Sequence, residues 1–310
     1  MNPTSNDRLF NLAMRQMQHG QLQEAMDTLC NVLAHQPDSA LAHALLALCL
    51  RDRKRLSSAE QEAGAALALA PQLWFAHMAM GLVQQGLRKP ELARTHLMTA
   101  IELAPTEDWP RRELGRHYLM LDQRTKALEW IESACAADPT DTANLALLAQ
   151  WHLEGRAFDR AEAVAREALA IDPQSQDALV VLGWVALRQN RLEEAQEHAV
   201  WAVQQNPEDE SALRLLVAIK TRRSPLLGLW FRFNSFLVGG GGTRMVLLLV
   251  GMYLAYRVLT LLLHDLEQPT AATMLNYVWL AFVIYTWVAP AQFQRMLRKE
   301  LEQVKLKPDF

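Results

Sequence analysis

Residues 105–139 read PTEDWPRRELGRHYLMLDQRTKALEWIESACAADP, a segment framed by Pro105 and Pro139. The same 34-residue interval runs through most of the chain, since Pro37, Pro71, Pro105, Pro139, Pro173 and Pro207 are evenly spaced. A fixed period of this size marks stacked repeats, each burying its apolar face against its neighbours. Other positions keep the beat. Ala25, Ala59, Ala93, Ala127, Ala161 and Ala195 stand 12 residues before each proline. Val32, Ala66, Ala100, Ala134, Ala168 and Ala202 stand 5 before it, and Ala13, Ala47, Gly81, Gly115, Ala149 and Gly183 stand 24 before it. Two helices approach closely only where side chains are small, so these positions read as crossing points. The proline follows the second helix because it cannot extend one.

These residues resemble the tetratricopeptide repeat, whose pattern is a large residue, Leu, a small residue, an aromatic, then Ala, a bulky residue, Ala and Pro. The fourth unit fits best, with Leu114, Gly115, Tyr118, Ala127, Ile131, Ala134 and Pro139. The aromatic position departs from the pattern, reading Gln16, Leu50, Gln84, Tyr118, His152 and Ala186. The resemblance implies an all-α, right-handed solenoid of six helix-turn-helix units, at about 6–39, 40–73, 74–107, 108–141, 142–175 and 176–209. A capping helix at 208–222 ends it. Units open on N-cap chemistry, as in Thr4-Ser5-Asn6-Asp7, Thr106-Glu107-Asp108 and Thr140-Asp141. Inter-helix turns read His19-Gly20, Gly86-Leu87 and Gln189-Asn190, with glycine or asparagine where a left-handed residue is needed.

In this family the first helix of each unit lines a concave groove. Carried over by position, that groove contains Phe75, Met78, Leu82, Trp109, Arg112, Arg116, Gln150, Leu153, Trp184 and Leu187, with Phe10, Met14 and Leu119 beside them. Such a lining suits an amphipathic helix or an extended peptide bearing a carboxylate. Some members grip chaperone C-termini with a clamp of Lys, Asn, Asn, Lys and Arg. Arg112 and Arg116 resemble its last pair, but Ala44, Leu48 and Ala79 occupy the matching earlier positions, so the clamp is incomplete. The alternative for the two arginines is a solvated pair partnered by Glu113 or Glu107.

Net charge is −3, unevenly split. Residues 1–220 carry 21 Lys/Arg against 29 Asp/Glu, and residues 221–310 carry 10 against 5. An acidic solenoid does not suggest a nucleic-acid groove. The three cysteines, Cys30, Cys49 and Cys135, are too few and too scattered for a disulfide framework or zinc knuckle, and read as buried small residues in a reducing compartment. The polar residues 1–7 have no apolar run and read as lacking a signal peptide.

Past residue 222 the composition changes. Ser224–Val238 is rich in Trp and Phe behind Arg222 and Arg223, which suits an interfacial segment, and Gly239–Gly242 reads as a hinge. Within 243–290, the segments 245–263 and 271–289 are each 19 residues long, the first with one charge, Arg257, and the second with none. Each makes a helix of about 28 Å, so the pair reads as a transmembrane hairpin with an acidic turn. Arg257 and Asn276 fall at similar depth and are expected to hydrogen-bond, fixing register. Basic residues flank both ends and none lies in the turn, which puts the solenoid and C-terminus on the cytoplasmic side of a bacterial inner membrane. The tail, 291–310, reads as a basic amphipathic helix.

His43 and His77 occupy equivalent positions, with no acid or cysteine at ligand spacing in the sequence. No nucleophile elbow, metalloprotease helix or nucleotide loop appears, so the chain reads as a non-enzyme without metal or cofactor. The leading expectation is a membrane-anchored adaptor presenting a protein or peptide ligand in its groove. The alternatives are an assembly subunit bound through its hairpin, and an organellar outer-membrane receptor.

Overall fold

The computed structural model describes residues 5–207, 209–223, 242–266, 268, 270–271, 273–281 and 283–284, with the side chains of 5–7, 18 and 242–249 outside that description. The chain divides into two compact units, Met1–Leu215 and Leu216–Phe310. The first consists of helix pairs: α1 Ser5–Gln18 with α2 Leu22–His35, α3 Ala40–Asp52 with α4 Leu56–Leu69, and α5 Trp74–Gly86 with α6 Pro90–Leu103. They continue as α7 Trp109–Met120 with α8 Arg124–Ala137, α9 Thr142–Glu154 with α10 Phe158–Ile171, and α11 Gln176–Arg188 with α12 Leu192–Gln205. One more helix, α13 Glu210–Arg223, crosses the unit boundary. Strands are absent among the described residues.

Each odd-numbered helix from α3 to α11 packs on its own partner and on the preceding even helix, and α3 to α9 each also pack on the next odd helix. The ladder explains why. All six alanines from Ala25 to Ala195 are fully buried. A Cβ built on Gly81 would lie 3.2 Å from the Ala93 carbonyl oxygen, one on Gly115 3.4 Å from that of Ala127, and one on Gly183 3.5 Å from that of Ala195. The small residue of the first helix therefore faces the backbone beside the small residue of the second. Between these crossings sit Leu97, Leu114 and Ile131, fully buried and each contributing about 1.5–3 kcal/mol. Caps are uneven. Ser39 and Asp141 accept from Ala42 and Ala143 amides, whereas α7 starts at Trp109, because Pro110 occupies its first turn and needs no amide partner.

The turn inside each pair is more regular than its sequence. Positive φ occurs at Gly20, Lys54, Arg88, Asp122, Arg156 and Asn190, again 34 residues apart. Gly20 and Asn190 are where the sequence placed them, but Gly86 is the last residue of α5 and the left-handed position belongs to Arg88. Helix pairing imposes this geometry on residues that pay about 1–2 kcal/mol for it. Arg88→Gly is expected to raise stability by about 0.5–1 kcal/mol, the steric relief exceeding the extra chain entropy. A rise in thermal midpoint checks this, and a fall would show that the Arg88 side chain supplies more than the turn loses.

Gly20 differs from the other five. A Cβ there would lie 2.2 Å from Asn206 Oδ1, so the α1–α2 turn touches the C-terminal end of α12. Lys54 also reaches Glu210 at 3.9 Å. The two ends of the first unit thus come together.

In the second unit, α14 spans Gly242–Asp265 and is followed by helical residues at 270–271, 273–281 and 283–284. Tyr256 and Trp279 stack at 4.6 Å, and the Tyr256 hydroxyl donates to Asn276 Oδ1 at 2.7 Å. The expected Arg257–Asn276 bond is corrected here. Asn276 is paired, but one residue earlier along α14, because the Tyr256–Trp279 stack brings the phenol rather than the guanidinium to that position. Among the described residues, no helix is long and apolar enough to cross a membrane. The expected spans 245–263 and 271–289 both run past the described side chains, and the interfacial segment 224–238, Gly239–Gly241 and the tail 291–310 lie outside the described residues altogether. Gly242, assigned to the hinge, is the first residue of α14.

Candidate protein-binding site

The odd-numbered helices form the inner layer of the first unit, and two clefts open on it. One, of about 800 Å³, is bordered by Met14, Met17, Leu82, Trp109, Arg112, Arg116 and Met120. The other, of about 570 Å³, is bordered by Arg116, Gln150, Leu153, Trp184, Arg188 and Arg214 among others. They meet at Arg116.

Of the ten residues expected in the groove, seven therefore border a cleft: Leu82, Trp109, Arg112, Arg116, Gln150, Leu153 and Trp184. Phe75, Met78 and Leu187 border neither of these two clefts. They are 6%, 0% and 4% exposed, because each first helix is packed on several sides and its neighbours bury them. Phe75 instead sits between Trp74 and Trp109, with ring centroids 5.5 Å from each. Spacing along one helix reveals an apolar position but not which of several neighbours covers it.

Arg112 is also recast. It is 9% exposed and is not a solvated groove residue. Its Nη1 donates to Asp141 Oδ2 at 2.6 Å, Asn144 Oδ1 at 3.0 Å and Asp108 Oδ2 at 3.2 Å. Asn144, fully buried, donates in turn to Asp108 Oδ2 and to the carbonyls of Ala134 and Asp138. The network ties α7 to α9 across the boundary between the fourth and fifth units. Burial pushes the Asp108 carboxyl up, while Asp141, also penalised by burial, is pulled down by Arg112. Arg116, more open, lies 3.4 Å from Glu113, and the Glu113 charge followed by Asp177 holds it in its charged form.

Sequence reasoning missed other cleft residues. Val180, Val181 and Arg188 fall at helical spacing beside the expected Trp184 on α11, and that periodicity could have found them. Arg156 has no such signal, since it reaches the cleft from a turn.

The remaining polar groups are structural. His43 Nδ1 lies 2.6 Å from Glu62 Oε2, an acid brought in by α4 that the sequence did not place near it. His77 Nδ1 faces His96 Nδ1 at 3.2 Å, and the Nε2 atoms of His43 and His77 donate to the carbonyls of ladder prolines Pro37 and Pro71. Among the described residues no group of three or more ligands could hold a metal. Cys30 is exposed, contrary to expectation, whereas burial pushes the Cys49 and Cys135 thiols up to about 12 and about 11.

His117 is 2% exposed and neither ring nitrogen meets a protein partner. Burial holds it, with His96, His152 and His198, below the ordinary histidine value of 6.5. For His117 the nearest charges, Glu91 and Arg94 on α6, act in opposite directions. The unfolded chain therefore takes up protons near pH 6.5 and the folded chain only at lower pH, so stability is complete above 6.5 and falls as pH drops through it. Val83 and Val185 occupy the matching buried position in two other units. His117→Val is expected to add about 1 kcal/mol at neutral pH and to flatten the decline towards about pH 5. Denaturant midpoints across that range check it, and an unchanged slope would count against it.

Residues 10–73 and 152–219 match the family pattern described as the tetratricopeptide repeat. Those segments are tetratricopeptide repeats. Solved structures share the fold. A chain of the APC/C hetero-tetramer of Cut9 and its partner aligns over 71% of this chain at 14% identity and a TM-score of 0.57. This chain spans 43% of that chain's length. A tetratricopeptide repeat protein from Parabacteroides merdae aligns over 71% of this chain and 86% of its own, at 18% identity and a TM-score of 0.56. A thermophilic repeat protein from Thermus thermophilus aligns over 59% of this chain and all (100%) of its own, at 20% identity and 0.54. A comparison with curated proteins finds no match. Tetratricopeptide repeats generally mediate protein–protein interaction, so the inner clefts are where a polypeptide partner is sought.

Proposed function

We propose that the chain is a non-enzymatic scaffold. Its repeats hold a partner protein on their inner face, and its C-terminal unit anchors it in the inner membrane of a bacterium, with repeats and C-terminus on the cytoplasmic side. The observation that carries the anchoring is the surface of the second unit. Val250, Leu254, Val258, Leu261 and Leu262 on α14 are 50–62% exposed, and Met274, Tyr277 and Val278 after it are 65–70% exposed. A band of apolar side chains this broad is unfavourable in water and suits a lipid or apolar protein surface. Basic residues flank it and its central turn has none, the asymmetry of a segment with both ends on the positive side.

Full-length protein mixed with anionic phospholipid vesicles is expected to float with them and to resist carbonate washing. Recovery in the carbonate supernatant would end the anchoring proposal, leaving the repeat scaffold to be judged on its own. Spheroplast proteolysis fixes the orientation: digestion of the repeats from outside would reverse it.

A further inference from the structure

We infer that the cleft shared by α9, α11 and α13 takes an acidic segment of a partner protein that also carries an aromatic or large aliphatic side chain. This rests on the scaffold reading above and narrows it to one ligand chemistry. The cleft is bordered by four arginines, Arg116, Arg156, Arg188 and Arg214, against two carboxylates, Glu154 and Asp177. That excess runs against its surroundings, since residues 1–220 carry more acids than bases.

Elsewhere in the stack, Arg112, Arg124 and Arg191 are spent on contacts between units. Arg112 is enclosed by its two aspartates and Asn144, Arg124 reaches Glu154, and Arg191 reaches Glu162 and Glu194. In the cleft, Arg214 pairs with Glu210 and Arg116 with Glu113, but among the described residues Arg156 and Arg188 meet no carboxylate. Both are exposed, with their guanidinium forks available to a ligand.

Beneath them the floor is apolar. Val180 and Val181 are nearly buried, and Leu153, Phe158 and Trp184 are half-buried. A half-covered tryptophan bordering a cleft is the kind of surface on which one bulky side chain anchors a peptide. Glu154 and Asp177 disfavour a polyphosphate backbone that would pass every point of the rim with a charge. They tolerate a polypeptide that places its carboxylates selectively and its apolar side chain between them. The Met-bordered cleft on the other side of Arg116 has a different character and is not part of this site.

The test is a random-peptide display selection on immobilised full-length protein in detergent, run beside an Arg156→Glu/Arg188→Glu variant. Both side chains are exposed, and unchanged helical circular dichroism confirms that the variant is folded. Peptides combining Asp or Glu with an aromatic or large aliphatic residue are expected to be enriched on the parent protein and lost on the variant. The best of them, measured by fluorescence anisotropy, should bind the variant at least roughly tenfold more weakly, the scale of a lost charged hydrogen bond. Enrichment of neutral or basic peptides, or the same acidic peptides on both proteins, overturns the inference and leaves the scaffold reading standing. No enrichment at all overturns both. Tighter binding of an oligouridylate than of the best peptide also overturns the inference.

Discussion

Arg112→Ala is expected to destabilise the repeat unit by about 3–5 kcal/mol, the cost of removing one partner from a buried ion network. The substitution leaves Asp108 and Asp141 facing each other without a cation and removes the Asn144 Oδ1 partner. Arg112→Lys restores a charge but cannot reach three acceptors with one flat fork, so it should recover part of the loss. Asn144→Leu should approach the alanine variant, because it strands Asp108 and the carbonyls of Ala134 and Asp138. Chemical denaturation of the full-length protein in detergent measures all three. A loss below about 1 kcal/mol for Arg112→Ala would mean that the arginine acts as a solvated surface pair.

Gly115→Leu is expected to be comparably severe for a different reason. A Cβ at that site already lies 2.8 Å from Ile131 Cγ1, 3.2 Å from the Ile131 amide nitrogen and 3.4 Å from the Ala127 carbonyl oxygen. Two of those neighbours are backbone, so a leucine can be housed only by moving α7 away from α8. Overpacking costs about 1–3 kcal/mol where side chains can yield, and more is expected where they cannot. Gly115→Ala should cost far less, because Ala47 and Ala149 fill the matching position in other units without exposure. A thermal midpoint for the leucine variant within a degree or two of the parent, on the order of a small-domain error, would show that the crossing is looser than the contacts indicate.

The two positions differ in how far the sequence alone reveals them. The crossing at Gly115 could be anticipated from the chain alone, since small residues recur at that register in all six units. The network at Arg112 could not. Its position on the first helix of a unit suggested a groove residue, and its partners come from a turn and a helix 29 and 32 residues further on. The same limit applies to Arg156, which reaches the cleft from a left-handed turn residue, and to Phe75, which is covered by aromatic neighbours. Hairpin depth alone does not say which of the adjacent side chains Tyr256 and Arg257 reaches Asn276.

Periodicity by itself therefore determines the repeat architecture. A helix must bury one stripe, and a repeat must present the same stripe every 34 residues, so the spacing of Ala, Gly and Pro suffices to specify paired, stacked helices. Which side chains stay open to a partner was decided only by the packed unit. Exposure depends on what the neighbouring units cover, and a guanidinium is free or spent according to carboxylates that stacking brings within reach.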